Sequence, residues 1–368
     1  MWSKKWRTII AFVLGLFMAV TLFKPALPQT SSLGIVIALA PPGQVTFKKP
    51  NRSNFQPAFI GRVLKGEDKL RVGSNARAII LCSNWTKWIA PQGRISTVSE
   101  GCPSTGKGRI TSSEDYTGDT RGANDPNIPY ILSPRKTSLI NNRPTLRWHP
   151  VEGAQSYSVR VFGLESGIDW EIDTKETQIV YSGEQPLPPD YYWLSVETDK
   201  GQSSEEEYKI VFAVLSEEKA ISILKEVEEL QQQQLNEEAK SLALAHFYLT
   251  EDLKADAIEL LEKSIVEDNQ LVATYQLLGD IYKQIGLNKL AKERYLKGLE
   301  LAQIESDLNS QAAIQKNLVT ITLIIDGKDE ALEWLEQAQI SYEALGDESE
   351  VRQLEEQKNN ILQGSSGV

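Results

Sequence analysis

The sequence predicts a multidomain protein: an all-β N-terminal half, made of a small β domain and a β-sandwich, followed by an all-α helical solenoid. Three observations carry this. Up to about residue 215, Val, Ile, Thr, Tyr and Trp alternate with polar residues in short runs broken by Gly and Pro, the two-residue period of half-buried strands. From Ser216 the turn residues thin out and Ala, Leu, Glu, Lys and Gln take over with a 3.6-residue period. Further on, the chain aligns with itself at a shift of 34 residues.

The chain has 368 residues, 41% of them hydrophobic, with eight Trp and twelve Tyr, enough to bury a core in each of two or three domains. Its net charge of −11 is unevenly spread: +4 over residues 1–30, +6 over 31–126, −5 over 127–215 and −16 over 216–368. The overall balance speaks against nucleic-acid binding, which needs a basic face to neutralise phosphates. The change of sign predicts modules with separate jobs, and the acidic helical region favours basic partners.

Residues 1–30 read as a signal peptide or a membrane anchor. Lys4, Lys5 and Arg7 precede an apolar run, residues 9–23, and then Pro25 and Pro28. That run is short for a bilayer span, which needs about 20 residues. No clean Ala-x-Ala site precedes a permissive residue, since the "ALA" of 38–40 is followed by Pro41, so cleavage and retention both stay open. Either way the expectation is export to the periplasm or cell envelope, with membrane association through residues 9–23.

Cys82 and Cys102 are the only cysteines, an even pair in a chain bound for an oxidising compartment. A bridge between them is expected over two buried free thiols, and no further Cys or His lies near enough in sequence to suggest zinc. Beside Cys102, "GCPSTGKG" places Gly101, Gly106 and Lys107 as a phosphate-binding loop would. The position of its Mg²⁺-binding Ser/Thr is Gly108, however, and no helical period follows. Residues 104–129 are mostly Gly, Pro, Ser, Thr, Asn and Asp and read as a flexible linker, so the match is a coincidence of composition.

Ahead of the linker, "FIGRVLKGEDKLRVGSNARAIILCSNWTKWIAPQG" carries a G-x-x-L-x-x-G-D-x-L theme as Gly61, Leu64, Gly66, Asp68 and Leu70, with one inserted acid. Residues 34–103 thereby resemble the FecR-like β domain of extracytoplasmic bacterial proteins, which implies a ligand-sensing or interaction module. In residues 130–215, Leu146 and Trp148 share one face of a strand, as do Tyr157, Val159 and Val161. "RPTLRWHPVEGAQSYSV" and "LPPDYYWLSV" make this stretch resemble a fibronectin type III or immunoglobulin-like sandwich, without a cysteine pair. His149 is expected to be a surface histidine.

Residues 216–363 begin with Ser216 as a helix cap, and the glutamines of 231–234 read as a solvated helical face. At the 34-residue shift Leu244 falls on Leu278, Ala245 on Gly279, Tyr248 on Tyr282, Ala257 on Ala291 and Leu261 on Tyr295. This period and spacing resemble the tetratricopeptide repeat. A third unit places Leu318, Val319, Thr322, Ala331, Leu335 and Ala338 in register 40 residues on, with flanking helices at Ala220–Leu235 and Ile340–Leu362. The resemblance implies a concave partner-binding groove whose face, carried over by register, includes His246, Gln276, Asp280, Lys283, Lys316 and Thr320.

Catalysis finds no motif: two histidines, no G-x-S-x-G, H-E-x-x-H, C-x-x-C or G-x-G-x-x-G, and no cofactor or metal set. The expected function is an exported non-catalytic adaptor that holds protein partners through its helical groove and envelope glycan through its β modules. A ligand-sensing extracytoplasmic protein is the alternative, and a cell-wall glycan hydrolase the third.

Overall fold

The computed structural model describes residues 33–40, 44–104, 109–110, 125–207, 209–267 and 270–363. The expected signal or anchor of residues 1–30, with its apolar run 9–23, lies outside the described residues, as do Gly106, Lys107 and Gly108. Strands fill the N-terminal half and helices the C-terminal half. No described helix is long and apolar enough to cross a membrane.

The first β unit contains β1 (Leu33–Ala40), β2 (Val45–Lys48), β3 (Gln56–Pro57), β4 (Val63–Lys65), β5 (Lys69–Val72), β6 (Arg77–Cys82), β7 (Lys87–Ile89) and β8 (Ile95–Thr97). They form two sheets, ordered β4-β1-β6-β7 and β3-β2-β5-β8. Val36, Phe47, Leu64, Leu70 and Ile80 fill the space between them. A short helix, α1 (Val98–Gly101), follows, and Cys82 and Cys102 are joined in a disulfide inside this core. A Cβ on Gly101 would fall within 2.2 Å of the Trp88 ring, so the glycine of "GCPSTGKG" is a packing requirement.

Strand β1 carries no alternation because both of its faces are covered. Val36 points into the β core, while Leu33, Ile35 and Ile37 pack on α2 (Glu217–Gln231) and α3 (Glu237–Thr250) through Ile223, Leu230, Ala243 and Phe247. The "ALA" of 38–40 is the end of this strand and therefore part of the fold.

The second β unit pairs a five-stranded sheet with a three-stranded one. The larger is ordered β10 (Ser138–Leu139), β16 (Ile210–Val214), β15 (Asp190–Thr198), β12 (Tyr157–Gly163), β13 (Asp169–Thr174). The smaller is β14 (Gln178–Val180), β11 (Thr145–Trp148), β9 (Ile131–Ser133). Leu146, Trp148, Tyr157, Val159 and Val161 meet between the sheets, and the Tyr192 hydroxyl donates to the Pro188 carbonyl at 2.6 Å.

The helical half continues with α4 (Lys254–Val266), α5 (Val272–Gln284), α6 (Asn288–Ile304), α7 (Leu308–Ile325), α8 (Lys328–Ala344) and α9 (Glu348–Gln363). Consecutive helices pack in pairs, and α5 also touches α7. Ser216 caps α2, its hydroxyl accepting from the Lys219 N–H at 3.3 Å. Two expectations are corrected here. Helix α2 ends at Gln231 because Asn236 caps α3, accepting from the Ala239 N–H at 2.9 Å, so most of the glutamine run is a turn and not a helical face. The flanking helix expected at Ile340–Leu362 is two helices, broken at Gly346 in the left-handed region (φ 66°). The extra length before the third unit lies in the helices: α4 and α5 have 13 residues each, α6 has 17 and α7 has 18.

Close approach between α5 and α6 depends on Gly279. A Cβ there would lie 2.6 Å from carbons of the Tyr295 ring, which is fully buried and donates its hydroxyl to Asp280. Alanine in a helix gains about 1 kcal/mol over glycine, but overpacking costs about 1–3 kcal/mol, and a ring held on all sides cannot retreat. Gly279→Ala is therefore expected to lower the urea midpoint of the helical half. The loss should be smaller in a Tyr295→Leu background, which reproduces the Ala245 and Leu261 pairing of the preceding unit.

Candidate functional site

The two β units are not independent of the helices. Within the expected linker 104–129, Ile110 and Ile128 are buried, the first among β1 and α2 side chains and the second among α3 to α7, and Arg109 pairs with Glu226 of α2. The sandwich is fixed by Arg135, which donates to the Ile285 carbonyl at 2.6 Å and pairs with Glu207. Ser138 and Asp252 add backbone and side-chain bonds. His149, expected at the surface, is half-buried and stacked on Tyr130 at 4.5 Å. Burial, then the Lys289 ammonium, push its imidazole below the ordinary value, against a hydrogen bond that the imidazole donates to the Pro126 carbonyl.

The first β unit reaches the opposite side of the helices with two loops. The turn between β2 and β3 brings Arg52 to Asp347, just before α9, at 2.9 Å, with both side chains almost wholly buried. The same guanidinium donates to Asn309, and Asn51 donates to Asp347 at 3.0 Å and Ser349 at 3.1 Å. Burial alone would raise the Asp347 pKa, but the hydrogen bonds from Arg52 and Ser349 win and hold it below the ordinary 3.8. The segment between β3 and β4 brings Arg62 to Asp307, the cap of α7, at 2.8 Å, and to Ser310 at 3.0 Å. Arg62 also lies over the Phe47 ring, 5.4 Å from its centroid. Beside it, Gly61 (φ 84°) is pressed onto the helices. A Cβ there would sit 2.4 Å from the Ala273 Cβ and 2.9 Å from the Leu242 Cδ1.

Between these contacts lies a cleft of about 980 Å³. Its β wall runs from Pro57 to Val63, and its helical wall includes His246, Gln276, Asp280, Lys283 and Lys316. Five of the six residues expected on the groove face are thus brought together, whereas Thr320 is half-buried on α7 outside the lining. Several are engaged, not solvated. Lys283 donates to Asn317 Oδ1 at 2.6 Å, Asn317 Nδ2 donates to Asp280 at 3.2 Å, and Lys316 reaches Glu350 and Gln353. Burial pushes the Lys283 ammonium down, Asp280 pulls it up and Lys316 pushes it down again. Asp280 and His246 are nearly fully buried.

Sequence reasoning missed Arg52, Arg62, Asn309, Asp307 and Asp347. The signal available for them was the +6 of residues 31–126 against the −16 of residues 216–368, together with an aspartate immediately ahead of α7 and of α9. Among the described residues no group of three or more His, Cys, Asp or Glu is placed to hold a metal ion.

Comparison with protein-family models and with curated proteins gives no match. Among solved structures the chain is similar to BtubC (BKLC) from P. vanneervenii, 18% identical over 41% of this chain and 75% of that one, with a TM-score of 0.29. It is also similar to the FN1–FN3 domains of chicken CNTN1, 11% identical over 46% of this chain and 50% of that one, with a TM-score of 0.16. Overlaps this loose carry no argument about fold or activity.

Proposed function

We propose that this protein is an exported, non-catalytic adaptor. Its helices form a tetratricopeptide-type solenoid, and a segment of a protein partner binds the solenoid face that borders the FecR-like β domain. The fibronectin-like sandwich braces the solenoid from the other side and leaves its outer sheet for envelope glycan. The observation that carries this reading is the cleft, which gathers Gln276, Asp280, Lys283 and Lys316 from two helices opposite the Pro57–Val63 wall. Its volume of about 980 Å³ is at the upper end of ordinary ligand sites, about 300–1,000 Å³, and suits a short extended segment better than a metabolite. Apolar Ile60, Val272 and Leu277 line it beside the two lysines, the mixture that extended peptides require.

The test is capture of a defined envelope protein by the full chain. Lys283→Glu with Lys316→Glu, which sets carboxylates against Asp280 and Glu350 and so disrupts the cleft wall itself, is expected to abolish that capture, and Lys297→Glu on an exposed helix face to leave it intact. Equal capture by all three would sink the reading. A second reading, a ligand sensor, is favoured by one feature: the cleft has a wall from each module, so an occupant would be felt by both. Partner capture that changes with an added cleft ligand would select it.

A further inference from the structure

The two loops that close the cleft are themselves bound as a ligand would be. Asp307 and Asp347 occupy corresponding places, the residue ahead of α7 and the residue ahead of α9, and each is about 1% exposed. Each receives one guanidinium from the β unit, Arg62 and Arg52 respectively. Both contacts include a neutral residue of α7: Ser310 beside Asp307, and Asn309, through which Arg52 bridges α7 and the start of α9. The helical face therefore offers two adjoining guanidinium sockets, one at the start of α7 and one between α7 and the start of α9. They open onto the cleft, since Arg52, Arg62, Asp307, Asn309 and Ser310 all line it. The charge distribution agrees, with the most acidic part of the chain met by its most basic folded part.

We propose that the loops around Arg52 and Arg62 are a built-in occupant of the helical face, an autoinhibitory clasp, and that the partner which displaces them presents the same chemistry. That partner is a basic segment carrying two arginines, one for Asp307 and one for Asp347. This rests on the reading of the helical face as a binding face. The clasp is in the same chain as its sockets, so its effective concentration is on the order of millimolar, and a competing segment binds weakly until the clasp lets go. Gly61 sets how tightly it closes, because only a residue without a Cβ fits against Ala273 and Leu242 in the left-handed conformation.

The experiment uses the full chain and a fluorescent synthetic peptide with the sequence of its own residues 49–65, read by anisotropy at low salt. Arg52→Gln with Arg62→Gln is expected to bind the peptide on the order of tenfold tighter than the unaltered protein, as release of a tethered competitor requires. Adding Asp307→Asn and Asp347→Asn should remove that binding. Gly61→Val, which keeps both arginines but wedges the loop away, should also tighten binding and guards against a folding failure in the arginine variant. Hydrogen exchange over Ala273–Lys283 and Asn309–Lys316 reports whether the face has opened. If the face opens and the peptide binds no tighter, the sockets do not recognise arginines in trans and the proposal falls. It also falls if neither variant deprotects the face. The peptide readout does not pass through capture of an envelope protein, so failure of the adaptor reading at Lys283 and Lys316 is seen separately.

Discussion

Arg135→Leu is expected to cost about 3–5 kcal/mol, the usual penalty for removing one partner of a buried ion pair. Arg135 is 1% exposed and ties two groups of the sandwich, the Ile131 carbonyl of β9 and the Glu207 carboxylate, to the Ile285 carbonyl at the end of α5. Leucine fills much of the volume but takes the countercharge from Glu207 and a donor from Ile285. The desolvation of those groups, rather than lost packing, sets the size of the effect. The double variant Arg135→Leu, Glu207→Leu should therefore recover most of the loss. Urea unfolding followed by circular dichroism measures both. A single-variant loss below about 1 kcal/mol would mean the pair behaves as a surface bridge and the sandwich is only loosely attached.

Loss of the Cys82–Cys102 bridge is the second large effect. The cysteines are 20 residues apart in sequence, and closing a loop of that size restricts the unfolded chain by about 3 kcal/mol. Both are about 1% exposed, so a thiol reductant reaches the bridge only when the β unit opens. Cys82→Ala with Cys102→Ala is expected to lower the melting temperature of the β unit, with the helical transition moving less. A reductant should act slowly on the unaltered protein and leave the variant unchanged. Equal melting of the two proteins would show that the sheets alone hold the unit.

What could be read in the sequence was whatever local periodicity encodes. The alternation at Leu146 and Trp148 gave a strand face, and the spacing of Leu278, Gly279 and Tyr295 gave a packed helix pair, because each depends on residues close together in the chain. Strand β1 shows no such period for the opposite reason. With Leu33, Ile35 and Ile37 against helices and Val36 against strands, neither face is polar and no period survives. Five of the six residues expected on one helical face line a common cleft, yet the loops that close it were not legible. Arg52 and Asp347 are 295 positions apart, and nothing local in either loop tells that it meets the other. The charge asymmetry pointed to a basic partner for the helices. Within the same chain, Arg52 and Arg62 of the first β unit meet Asp347 and Asp307 of the helical half, while Asp280 is enclosed by Tyr295 and Asn317 of neighbouring helices.

The central claim is that the basic β unit sits on the acidic helical face. It is tested most directly by amine-to-amine crosslinking of the monomeric protein with a short reagent, followed by mass spectrometry. Lys49 and Lys65 on the β side line the same cleft as Lys283 and Lys316 on the helical side. Intramolecular links between the two sets are the expected result. Links confined to within each half of the chain, with none across the cleft, would contradict it.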